Sequence, residues 1–260
     1  MPVSPEIEAI WVLYNEDLEG IVYTMYADVI AYVTTGMGNL IHPMAAAMSL
    51  PWLHPSMRPA TQAEIANEWG RVWNGCCKPS QAHQHIPAKD CPLKQAGKVC
   101  HAHDGWRSTA GPGALWLSRA AVEGLILSKL RSNHGVLAGY FPELDGWNLN
   151  ATTAAHSLAW AVGPHWPTKF PKCKAACLAQ DWARYDADGK LVGGAAKEGR
   201  IAPAHGTVIT RNDRQRVLFE NAGRGVAAIE WRRVVEAGHA GPKGPAHVAE
   251  YPTRDTVKDV

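Results

Sequence analysis

The chain has 260 residues, 46% of them apolar, with a formal net charge of +2. That is enough for one large domain with a sizeable insertion and a real core. So small a positive excess argues against a nucleic-acid partner, and no apolar run reaches the roughly 18 residues that would span a bilayer.

The opening residues, Met1 to Glu8, are acidic and carry Pro2 and Pro5. They lack the basic segment and apolar stretch of a secretory signal, so we expect the protein to be made in the cytoplasm. Residues 4–18 predict an amphipathic helix. Ser4 suits the N-cap, Pro5 the first helical position, and Glu6 and Glu8 the positive end of the helix. Ile7, Ile10, Trp11, Tyr14 and Leu18 recur at helical spacing. Glu19 closes this helix and Gly20 stops it. Residues 21–41 turn rich in Val, Ile, Tyr and Thr, which predicts a small antiparallel sheet.

A second helix is expected over Ala60–Trp73 with Thr61 as cap. Residues 75–113 then lose apolar periodicity and gather Cys, His, Pro, Gly and Lys, as an irregular insertion would. Helical patterning resumes after Ser118 with Val122, Leu125, Ile126 and Leu130. It continues in the strongly apolar 151–163, in 170–186, and in Asn212–Ala222. Gly189–Gly206 reads as loop, and the tail after Gly238 is rich in Gly and Pro. The expected organisation is a single catalytic domain over residues 1–224, an insertion over about 50–112, and a C-terminal extension over 225–260.

Six cysteines fall in two groups: Cys76, Cys77, Cys91 and Cys100 in the insertion, and Cys173 with Cys177 one helical turn apart. Disulfides, reduced buried thiols and a metal site are all open readings. His83, His85, His101 and His103 lie beside the first group, yet no CxxC module occurs. Eleven Trp against three Phe is a lopsided aromatic usage. Trp serves core packing and, through its broad face and N–H, stacking on sugar rings.

The chemistry concentrates near the first helix. Asp28 follows Glu19 after eight intervening residues, and Thr34 follows after five more. Cleaving a glycosidic bond needs a proton for the leaving oxygen and a group that positions water. A carboxyl at a helix C-terminal end sits near partial negative charge, which favours its protonated form. A carboxylate on a facing hairpin can orient the water, and a neighbouring hydroxyl can hold it as donor and acceptor.

The stretch Glu19-Gly20, Tyr26-Ala27-Asp28 and Thr34-Thr35-Gly36-Met37-Gly38-Asn39-Leu40 resembles the active-site region of phage T4-type lysozymes in residue types, glycines and spacing. The likeness extends to Leu117–Leu125, to Ala155–Gly163, to Phe170–Asp186 and to the Arg-bearing Thr210–Phe219. It implies an α+β, lysozyme-like fold, mainly helical, with a small antiparallel sheet at the active site and the Cys/His-rich insertion outside the family pattern. It implies Glu19 as general acid, with Asp28 and Thr34 holding the attacking water. It places Tyr26, Gly36, Asn39 and Arg211 as substrate-binding positions. The implied reaction is hydrolysis of the β-1,4 bond between N-acetylmuramic acid and N-acetylglucosamine, needing no metal or organic cofactor. The sequence departs from the pattern at Asn39, where the family often has His, and at Ala31, where it has Gly. Arg211-Asn212 only approximates the family's basic pair.

The resemblance further implies a monomer acting on peptidoglycan in the periplasm or cell wall of a target bacterium, as an endolysin or a secreted antibacterial effector. An effector would carry an immunity protein as partner. Two other readings stand beside it: a non-catalytic peptidoglycan-binding module, and a lytic transglycosylase.

Overall fold

The computed structural model describes residues 2–28, 30–77, 87–111, 113–202, 207–229 and 234. In chain order these begin with α1 (Pro5–Glu19), β1 (Val22–Ala27), β2 (Val33–Gly36) and β3 (Asn39–Leu40). Then follow α2 (Met44–Met48), α3 (Gln62–Asn74), α4 (Pro92–Gln95), α5 (His101–Asp104) and α6 (Arg119–Tyr140). The last stretch holds α7 (Leu149–Val162), α8 (Trp166–Lys169), α9 (Pro171–Leu178), β4 (Arg184–Tyr185), β5 (Leu191–Gly193), α10 (Ala195–Glu198) and α11 (Thr207–Gly223). Among the described residues the class is α+β, helix-dominated, with one three-stranded and one two-stranded antiparallel sheet. No described helix is long and apolar enough to cross a membrane.

The chain forms two compact units. The described part of the first unit is residues 2–18, 127–202, 207–229 and 234, and that of the second is residues 19–28, 30–77, 87–111 and 113–126.

The second unit is built around the sheet β1-β2-β3. Tyr26 pairs with Thr34 and Ala27 with Val33, while β2 and β3 pair Thr34 with Leu40 and Thr35 with Asn39. The far edge of β1 is lined by the segment before α6: Leu117 N–H donates to Tyr23 O at 2.8 Å, and Trp116 bridges Thr24 and Leu53. Met25, Val33, Met37, Ile41, Trp52, Ile65, Val72 and Leu117 fill the core. Thr61 caps α3 with its side chain accepting Glu64 N–H, while Glu64 reaches back to the Thr61 N–H. This reciprocal cap satisfies two donors that a helix start otherwise leaves open. At the start of α6, Ser118 Oγ accepts Ala121 N–H at 3.2 Å.

The first unit packs α7 against α11. Residues Asn150 to Trp160 of α7 are all buried, so this helix has no solvent face there and its polar residues must find partners inside. Ser157 Oγ lies 2.8 Å from the Tyr14 hydroxyl and accepts Arg211 Nη1 at 3.0 Å and Gln215 Nε2 at 3.1 Å. The apolar stripe of α1, with Ile7, Trp11, Tyr14 and Leu18, is buried at the expected spacing.

The sequence predicted a helix through 170–186 and a loop over 189–206. Instead α9 ends at Leu178, and β4 and β5 form a hairpin followed by the short α10. The cause is turn chemistry. Asp186 Oδ1 accepts the N–H groups of Asp188 (3.1 Å) and Lys190 (2.8 Å), and Gly189 takes a positive φ of 76°.

His156 on α7 is fully buried, and its ring shares a 3.2 Å hydrogen bond with His134. Burial, helped by the charge on His134, holds His156 at about 3, against an ordinary 6.5. Below pH 6.5 the unfolded chain binds a proton there that the folded chain refuses until about 3. This contribution is therefore full above pH 6.5 and is lost as pH falls toward 3, at about 1.4 kcal/mol per pH unit. Denaturant unfolding of wild type and His156→Leu at pH 7 and pH 4.5 checks this. The variant should lose less stability on acidification than wild type, and equal losses would contradict the assignment.

Candidate active site

Glu19 is the last residue of α1 and is exposed. Gly20 follows with φ 68°, a conformation that turns the chain out of the helix and into β1. Six-residue β1 then delivers Tyr26 and, one residue past its end, Asp28.

Asp28 builds the connection from β1 to β2. Its Oδ1 accepts Ile30 N–H at 3.0 Å and Tyr32 N–H at 2.9 Å. Its backbone N–H donates to Tyr32 O, and its carbonyl accepts Ala31 N–H, both at 2.9 Å. One carboxylate oxygen is thus committed to the turn, while among the described residues no hydrogen bond reaches the other. Burial raises the Asp28 carboxyl above its ordinary 3.8, with the Tyr32 and Ile30 N–H groups and nearby His42 pulling the other way.

Thr34 sits on β2 directly across from Tyr26 and is buried. Its hydroxyl donates to Tyr32 O at 3.3 Å, a long bond that leaves both oxygen lone pairs available. The Tyr26 phenol is pushed well above its ordinary value. Burial is the largest cause, followed by the charges of Glu19 and then Asp28, against a Gly38 N–H that donates to it. One phenol therefore lies within electrostatic reach of both carboxylates, and it stays a neutral proton donor at ordinary pH.

The remaining predicted positions carry structural duties. Gly36 has φ 62°, and a Cβ there would meet Asn39 Oδ1 at 2.8 Å, so the turn requires glycine. Asn39 is buried and its Oδ1 accepts Met37 N–H at 3.2 Å, closing the β2–β3 turn. Arg211 lies on α11 in the first unit, 2% exposed, with Nη1 donating to Ser157 Oγ at 3.0 Å and both Nη atoms near Asn15 Oδ1 at 3.2–3.3 Å.

An aromatic stack beside Asp28 escaped the sequence reading. The His42 ring lies 4.8 Å from Tyr32, 5.1 Å from Trp69 and 4.7 Å from Trp73, centroid to centroid. Trp69 Nε1 donates to Ile41 O at 3.1 Å, tying α3 to the end of β3. All four rings are half-buried. Their positions are scattered over some forty residues, and only the packing of α3 on the sheet unites them.

In the first unit, a cavity of about 320 Å³ is lined by His134, Asp145, Trp147 and Thr152 among others, and holds none of the predicted site residues. His134 Nε2 lies 3.0 Å from Asp145 Oδ1 at the edge of this cavity.

No protein-family model matches the sequence, and no curated protein matches it.

Ala31, where a glycine was expected by resemblance, keeps the glycine conformation at φ 66°. An L-residue held there costs about 1–2 kcal/mol, part of which a glycine returns as extra freedom of the unfolded chain. Ala31→Gly should therefore stabilise the protein by about 0.5–1 kcal/mol in chemical denaturation. A neutral or destabilising result would show that the turn is not strained.

Proposed function

We propose that the protein is a peptidoglycan hydrolase of the muramidase type. It would cleave the β-1,4 bond between N-acetylmuramic acid and N-acetylglucosamine, as an antibacterial effector or endolysin acting on the wall of a target bacterium. The observation that carries this reading is local geometry. Glu19 ends α1, Asp28 follows β1 with one carboxylate oxygen held by the turn, and Thr34 pairs with Tyr26 on the neighbouring strand. Glu19, Asp28 and Thr34 all belong to the second unit, as an acid, a base and a water-holding hydroxyl acting together would require.

The steps follow from these groups. The Glu19 carboxyl gives its proton to the glycosidic oxygen as the bond from that oxygen to the anomeric carbon breaks. A water held by the free oxygen of Asp28 and by the Thr34 hydroxyl forms the new bond to the anomeric carbon. Asp28 takes the proton that the water loses. The turn N–H groups on Oδ1 fix the Asp28 carboxylate in place, so its orientation costs nothing at the moment of reaction. The half-buried cluster of Tyr32, His42, Trp69 and Trp73 lies near Asp28, and its exposed edge is where a pyranose ring would rest. Retention of two water-handling residues favours hydrolysis over a transglycosylase, which needs no water.

Release of soluble fragments from purified bacterial cell walls tests the reading. Glu19→Gln should lower the rate by roughly 10²- to 10⁴-fold without loss of fold by circular dichroism. Because Asp28 must be ionised to act and burial raises it, the acid limb of kcat/KM should lie above 3.8. Activity is then full above that limb and falls as pH drops through it. Asp28→Asn keeps an oxygen for the Ile30 and Tyr32 N–H groups, so it should fold normally and lose activity. Wild-type rates in Glu19→Gln or in Asp28→Asn would overturn the assignment.

A further inference from the structure

The described residues 87–99 of the Cys/His-rich segment bury little. Between Pro87 and Val99, Cys91 is the single buried residue, and α4 is one turn long. A segment that buries so little apolar surface needs a cross-link or a metal to hold one conformation. The predicted candidates meet there. Cys77, Cys91 and Cys100 are buried, His103 is half-buried, and their four ligand atoms all lie within 4.8 Å of one another. His83 and His85 lie outside the described residues.

All six cysteines are free thiols. Cys77 Sγ is 3.4 Å from Cys100 Sγ and 3.5 Å from His103 Nε2. A tetrahedral zinc with bonds of about 2.3 Å to sulfur and about 2.0 Å to nitrogen would set these separations at about 3.8 and about 3.5 Å. The backbone also points donors at the sulfurs. Lys94 and Leu93 N–H groups donate to Cys91, and Cys77 N–H approaches Cys100 Sγ at 3.4 Å. Thiols are poor acceptors, whereas metal-bound thiolates use such N–H groups. Lys94 places its ammonium within electrostatic reach of Cys91 and Cys100, and its 2.8 Å ion pair with Asp104 is backed by Cys100 N–H donating to the same carboxylate.

We propose that Cys77, Cys91, Cys100 and His103 form a structural zinc site that staples the insertion to the end of α3. Three sulfurs and one imidazole suit zinc among common cellular metals, and four protein ligands leave no position open for chemistry. Cys76 is not part of it: its thiol turns back to Val72 O at 3.2 Å. His101 lies outside the cluster of four ligand atoms, with its Nδ1 2.9 Å from Ser108 Oγ. The site is independent of the muramidase reading, since its ligands are none of the proposed catalytic groups.

The test uses the full chain, purified under reducing conditions and passed through a desalting column after incubation with zinc chloride. Elemental analysis should find one zinc per chain. Replacement by cobalt(II) should give the intense visible absorption of a tetrahedral site together with thiolate-to-cobalt bands in the near ultraviolet. Cys91→Ser and His103→Asn should lose the stoichiometric metal, and Cys76→Ser should keep it. A strong chelator should lower the thermal midpoint of wild type. The cobalt spectrum needs no variant, so it stands even if Cys91→Ser fails to fold. Absence of stoichiometric metal in the wild type, or a thiol count showing a Cys77–Cys100 disulfide, would overturn the proposal.

Discussion

The candidate site hangs on one carboxylate oxygen. Asp28 Oδ1 takes the N–H groups of Ile30 and Tyr32, and this pair of bonds shapes the link between β1 and β2. The link sets the register that places Tyr26 opposite Thr34. It forces Ala31 into a conformation that alanine resists, and it brings Tyr32 against His42. A hydrogen bond from an N–H to a charged acceptor is worth more than a neutral one. The same group therefore holds the fold locally with one oxygen and leaves its second oxygen outside the bonds of the turn. A turn built this way cannot exchange Asp28 for an apolar residue without losing both.

Local signals account for what the sequence revealed. The stripe Ile7, Trp11, Tyr14 and Leu18 specified α1, and Thr61 with Glu64 specified the start of α3. The Val- and Tyr-rich stretch after Gly20 specified the three-stranded sheet. These features depend on residues within a turn or two of each other. The Asp186-Ala187-Asp188-Gly189 turn was equally local, yet it was passed over because the flanking strands are two and three residues long and show no alternation.

The features that stayed hidden depend on tertiary packing. Tyr32, His42, Trp69 and Trp73 stack only because α3 lies on the sheet. The pair His134 and His156 meets across two helices, and its perturbed titration comes from burial that no spacing announces. The cluster of Cys77, Cys91, Cys100 and His103 had one readable hint, the Cys100-x-x-His103 pair at the head of α5. The first two cysteines are too far apart in sequence to look like a module. Asn39 shows the converse: a residue placed by motif as a substrate contact turns its side chain into its own turn.

In the proposed scheme the second unit holds two chemistries that share no residues: Glu19, Asp28 and Thr34 would handle a proton and a water, while Cys77, Cys91, Cys100 and His103 would hold a segment in place. The central claim is that water, directed by Asp28 and Thr34, ends on the anomeric carbon. Digestion of purified cell walls in ¹⁸O-labelled water, followed by mass spectrometry of the muropeptides, tests this most directly. The account predicts reducing-end N-acetylmuramic acid carrying one ¹⁸O, formed by wild type and not by Glu19→Gln. Products ending in 1,6-anhydro sugar without label, or no products from wild type, would contradict it.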